Sequence, residues 1–204
     1  MNKKILFSLI LLWSFSAFYG QKNKSKYSLG LHYGFGSEFN NRNYTFTNHY
    51  YKLAINYRVK ETKNFSFEVV LQPEINFATH QLLNFYFITP DEPNYIEKRA
   101  LFTKLKDINQ YILNVGFAVR KPVTKSTSII ILGSVGPMFS DTETERLSKG
   151  FAFSDVLSIG FEYKINKLIF NVSPNVRHIS NAGLNSSNSG FNTKNIEFGF
   201  LYAL

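Results

Sequence analysis

The chain has 204 residues, with 12 Tyr, 21 Phe, no Cys and a formal net charge of +9. Without cysteine there is neither a disulfide framework nor a lipoprotein anchor thiol, and no window after residue 20 offers the run of about 18 apolar residues that a membrane helix needs. The positive charge is spread through turns and loops, without the features that would make nucleic acid a partner.

Residues 1–20 read as a cleavable signal peptide. Met1-Asn2-Lys3-Lys4 is a basic cap, Ile5 to Phe18 an apolar core too short for a membrane span, and Gly20 a small residue at the expected cleavage point. That leaves 21–204 as one exported domain.

From there the chain alternates in segments of about ten residues, the pattern of a transmembrane β-barrel. Tyr27, Leu29, Leu31, Tyr33 and Phe35 alternate with small or polar Ser28, Gly30, His32, Gly34 and Gly36. Tyr51, Leu53, Ile55, Tyr57 and Val59 alternate with Lys52, Ala54, Asn56 and Arg58. Phe65, Phe67, Val69 and Leu71 oppose Ser66, Glu68, Val70, Gln72 and Glu74, and Tyr111 to Val119 oppose Asn114, Gly116, Ala118 and Arg120. In each case the charges suit a wet interior and the apolar set suits lipid. A fifth strand, about 126–138, is too uniformly apolar at Ile129-Ile130-Ile131-Leu132 for its faces to be assigned. Leu157, Ile159, Phe161 and Tyr163 mark a sixth strand, and Ile196, Phe198, Phe200, Tyr202 and Leu204 the eighth.

Connection lengths supply an independent test. The links at 61–64, 121–125 and 165–167 are short and those at 37–49, 79–106, 141–149 and 181–194 are long, matching short periplasmic turns and long outer loops. The predicted fold is therefore all-β: an eight-stranded antiparallel up-and-down transmembrane barrel with both ends on the periplasmic side. Within 79–106, Leu83 to Ile88 alternates and reads as a strand extension or an extra hairpin. Asp141-Thr142-Glu143-Thr144-Glu145 reads as a solvated acidic loop, with calcium binding as its alternative.

The seventh strand carries the chemistry. Phe170, Val172, Pro174 and Val176 share a parity with His178 and Ser180, while Asn171, Ser173, Asn175 and Arg177 take the opposite face. A potential base and a potential nucleophile thus end a face that otherwise wants oil, an arrangement suited to a lipid substrate. At about 3.3 Å per residue, the strand from Leu168 to Ser180 spans roughly 40 Å, or somewhat under 30 Å of depth once tilted. Ser180 is therefore expected at the outer edge of the hydrocarbon layer.

The sequence His178-x-Ser180-Asn181-Ala182-Gly183-Leu184, followed by Asn188-x-Gly190, resembles the C-terminal motif of the lipid A 3-O-deacylases, outer-membrane esterases also described as acyloxyacyl hydrolases. The resemblance implies His178 as base, Ser180 as nucleophile, Asn188 as an oxyanion donor and lipid A of lipopolysaccharide as substrate, in the bacterial outer membrane. It also implies a Glu fourteen residues after the His, and here that position is Asn192. Asn192 has the parity of Ile196 and Phe198, so it faces the same outer side as the pair, where it can fix the imidazole tautomer but supplies no charge. Glu197, the nearby acid, has inward parity. Backbone N–H groups after Ser180, from Asn181, Ala182 and Gly183, complete the expected oxyanion and substrate-binding set.

No cofactor is implied, and His32, His49 and His80 form no cluster with metal-ligand spacing; His32 reads as a satisfied lumen residue. Whether barrels pair as homodimers is left open by the sequence. Asn192 keeps a second reading in view, a structural or adhesive barrel derived from the same family and without catalysis.

Overall fold

Strands of alternating polarity have two chemically opposite faces, and closing them into a barrel assigns one face to water and the other to lipid. In a computed structural model of the chain, which describes residues 26–39 and 41–204, eight antiparallel strands close in sequence order. They are β1 (Tyr27–Glu38), β2 (Tyr44–Glu61), β3 (Ser66–Leu82), β4 (Lys106–Pro122), β5 (Thr127–Ser140), β6 (Gly150–Ile165), β7 (Leu168–Ser180) and β8 (Phe191–Ala203). Strands β1 and β8 pair from Ser28↔Ala203 to Glu38↔Thr193, so no sheet edge is left open. Among the described residues no helix is long and apolar enough to cross a membrane, and the strands make the crossing. The expected signal peptide lies outside the described residues.

The expected faces hold. Tyr33, Leu53, Val69, Phe117, Ile159 and Phe200 are exposed on the outside, whereas Lys52, Glu68, Glu74, Asn114, Glu162 and Arg177 are buried inside. Strand β5, whose faces its apolar run left unassigned, turns Ile130, Ser134 and Met138 inward and Ile131, Val135 and Phe139 outward.

The interior is layered. Nearest the short turns, Arg120 bridges Glu68 and Glu162. Further out, Lys52 meets Glu197 at 2.7 Å and Glu74 at 3.6 Å, Arg177 meets Glu74 at 2.6 Å, and His32 meets Glu197 at 2.9 Å, so His32 is the lumen residue it was expected to be. Buried charges persist only when paired in this way. The Tyr50 ring packs among Lys52 and Arg177, and Gly34 makes room for it, since a Cβ there would collide with the ring. Asn48, Asn76 and Gln110 then form an amide ladder. An apolar plug of Phe46, Ile108, Met138, Leu147, Ile179 and Phe191 closes the outer mouth.

Three expectations about the loops are corrected. Strand β1 runs on to Glu38 and β2 begins already at Tyr44, so the first outer link shrinks from the expected 37–49 to 39–43; Glu38 fastens it by accepting the Phe46 N–H at 2.9 Å. Residues 83–88 are neither a strand extension nor a hairpin. The segment after β3 instead holds a 3-10 turn (Phe85–Phe87) and a helix, α1 (Tyr95–Phe102). Leu82, Ile88 and Phe102 bury together there, and Arg99 donates to the Ile88 carbonyl while stacking on Tyr95. Nor is the acidic loop wholly solvated. Glu145 turns into the barrel mouth, where its carboxylate lies 2.9 Å from His80 Nε2, while His80 Nδ1 holds the Thr45 carbonyl.

Candidate active site

Strand β7 delivers the pair as its parity requires. Asn171, Ser173, Asn175 and Arg177 are buried in the lumen, Phe170, Val172 and Val176 are exposed on the lipid side, and His178 and Ser180 end that outer row, each half-buried. The two are not hydrogen-bonded to each other in this structure. Their Cα atoms stand about 6.5–7 Å apart along the strand, a gap a His and a Ser close by rotamer choice.

Register adds what parity cannot. On one side His178 pairs with Asn192 of β8, and His178 Nδ1 lies 2.8 Å from Asn192 Oδ1. With that oxygen as acceptor, Nδ1 carries the proton and Nε2 is left as the free base. On the other side His178 pairs with Asp155 of β6, and Ser180 pairs with Phe153. Asp155 went unremarked in the sequence because the outward row of β6 was traced only from Leu157. Extending that row back by one step exposes a carboxylate among aromatic and aliphatic side chains.

The loop after Ser180 is tightly folded. Asn181 is buried; its side chain donates to the Ser187 carbonyl at 2.9 Å and accepts the Gly183 N–H at 3.1 Å. Its own N–H donates to Asn188 Oδ1 at 2.7 Å. Of the expected oxyanion donors, the Asn181 and Gly183 N–H groups are thus already engaged. The Ala182 N–H and the Asn188 Nδ2 remain open, and Ala182 sits in the left-handed region at φ 53°. Because Asn188 is held by its oxygen, its amide nitrogen is left as a donor.

The neighbouring 141–149 loop clamps this one. Arg146 donates to the Gly190 carbonyl at 2.7 Å and the Ser189 carbonyl at 3.2 Å, and its own carbonyl accepts the Gly190 N–H at 2.9 Å. Gly190 has φ 62°, and a Cβ there would strike the Ile179 carbonyl, so only glycine allows this approach. Arg146 also lies over the Tyr44 ring at 4.4 Å. Its basic side chain gave no signal in sequence, since a loop arginine reads as solvent-exposed.

Glu197 points inward to Lys52 and His32 and takes no part. Lys194 lies on the outer face of β8 opposite Val176, one step below the His178 row. Among the described residues no group of three or more His, Asp or Glu side chains is placed to hold a metal ion.

A closed eight-stranded barrel with an apolar outside, short turns at one end and a His–Ser pair at the other end of its lipid-facing surface is an outer-membrane β-barrel. The model of the lipid A 3-O-deacylase (PagL) family matches residues 91–200, more than half of the chain, and the chain belongs to that family. Among solved structures, the outer membrane enzyme PagL superposes with a TM-score of 0.61 at 12% identity, over 83% of this chain and 97% of that one. Neisserial surface protein A superposes with a TM-score of 0.53 at 8% identity, over 88% of this chain and 98% of that one. At such identities the likeness to solved structures is one of fold. No curated protein sequence matches the chain.

Proposed function

We propose that the protein is a serine esterase that removes an ester-linked acyl chain from lipid A. The observation that carries this reading is the placement of His178 and Ser180 on the lipid-facing side at the outer rim, with Asn192 on His178 Nδ1. At that depth in the outer leaflet lies the junction of sugar and acyl chain, where an ester bond meets the pair.

In the first half-reaction Ser180 Oγ attacks the acyl carbonyl carbon and its proton passes to His178 Nε2. The oxyanion forms toward the Ala182 N–H and the Asn188 amide, the two donors left open by the loop, an interaction that can be worth about 3 kcal/mol per donor. The ester C–O bond then breaks, and the sugar oxygen leaves with the proton from Nε2. In the second half water adds to the acyl carbon, again through Nε2, and the fatty acid departs as the Ser180 hydroxyl is restored. Phe153, opposite Ser180, and the outward apolar row of β7 form the wall against which an acyl chain lies.

The test is the mass of lipid A from cells expressing this chain or Ser180→Ala. Loss of one hydroxy-acyl chain only with intact Ser180 supports the enzyme. Identical spectra from equally folded barrels overturn it and favour the second reading, a surface barrel without catalysis, which the neutral Asn192 recommends.

A further inference from the structure

We infer that Asp155 is the acid of this site, a positioning residue that supplies the negative charge Asn192 lacks; the inference rests on the esterase reading. The register sets three outward side chains in one row across three strands, Asp155, His178 and Asn192, with the imidazole in the middle. Side chains directly opposed on antiparallel strands have Cβ atoms about 4.5–5.5 Å apart, within reach of a carboxylate and an imidazole.

Asp155 has no other evident task. The outward row of β6 runs Phe151, Phe153, Asp155, Leu157, Ile159, Phe161 and Tyr163, and Asp155 is its one charged member. Its carboxylate has no hydrogen-bond or ion-pair partner among the described residues. A lone carboxylate on the lipid side of a barrel is unfavourable, increasingly so with depth. A cation formed beside it during turnover relieves that cost.

Three other acids near this end are committed elsewhere. Glu145 is held by His80 inside the mouth, Glu197 by Lys52 and His32 in the lumen, and Asp141 by Asn109. Asp155 is the carboxylate that the register sets directly beside His178. The two flanking residues then divide the work of one triad acid. Asn192 fixes the tautomer by accepting from Nδ1, and Asp155 stabilises the imidazolium that exists while the Ser180 or water proton sits on Nε2. No proton passes to Asp155 in either half-reaction.

The full-length protein in mixed micelles with lipid A, with released hydroxy fatty acid as the readout, tests this. Asp155→Asn is expected to lower kcat by about 100-fold with little change in KM, and Asp155→Glu to keep most of the rate. Adding Asn192→Glu to Asp155→Asn is expected to restore turnover, because it returns a carboxylate from the other strand. Wild-type turnover by Asp155→Asn, while Ser180→Ala releases nothing, overturns the inference and leaves the esterase standing. A loss that Asn192→Glu does not restore marks Asp155 as merely structural and also overturns it. If the wild-type chain releases no more than Ser180→Ala, the esterase reading fails and this inference with it.

Discussion

His178 Nδ1 and Asn192 Oδ1 meet at 2.8 Å across the ladder between β7 and β8, so a neutral amide occupies the side of the imidazole where a carboxylate would add charge. The bond orients the ring but does little for its cation. Asn192→Ala is therefore expected to lower kcat by about tenfold through loss of the tautomer, and Asn192→Glu to raise it above wild type. Steady-state release of fatty acid from lipid A micelles checks both directions.

Arg146 ties the acidic loop to the loop that carries Asn188, through the Ser189 and Gly190 carbonyls. Arg146→Ala frees residues 185–190 while leaving the strands intact. The expected result is protease cleavage within that segment together with a fall in kcat of about tenfold, since one oxyanion donor loses its fixed position. Unchanged proteolysis would show that the clamp is dispensable.

His80 and Glu145 are buried together at the outer mouth. Removing one partner strands the other, so His80→Ala is expected to destabilise the barrel by about 3 kcal/mol. The double variant His80→Phe, Glu145→Leu replaces the pair by apolar volume and is expected to recover most of that loss. Denaturant midpoints in detergent measure the difference.

Asp141 gives the outer loops a pH dependence. Its partial burial pushes the carboxyl up, but hydrogen bonds from Asn109 and Thr142 and the charge of Lys149 outweigh this and hold it below the ordinary Asp range. A carboxyl lowered on folding stabilises above its unfolded value, about 3.9, and that contribution fades as pH falls through the folded one. Protection of the 141–149 loop from an acid-active protease is thus expected to hold at pH 5 and to weaken below about pH 4. Asp141→Asn is expected to flatten that change.

Parity was the part of this molecule that could be read directly. Alternation gave every strand but β5 its two faces, and it put His178, Ser180 and Asn192 outward because side chains on a strand repeat every second residue. What alternation lacks is which residues stand side by side on neighbouring strands. Asp155 and His178 are separated by ten further strand positions of β6, a turn and most of β7, and only the closed register brings them abreast. The loops failed for a different reason. Glu145 sits in a run of acids that reads as solvated, yet His80, far away in sequence, offers it a buried partner.

The filled interior has its own consequence. Two charge layers, an amide ladder and an apolar plug cross it in turn, and the cavity between the charge layers, lined by His32, Gln72, Glu162 and Glu197, has about 30 Å³, room for a water or two. Among the described residues these layers leave ions no continuous aqueous path through the barrel. Reconstituted into a planar bilayer, it should be electrically silent, a stiff post that displays its rim to the leaflet rather than a conduit through it.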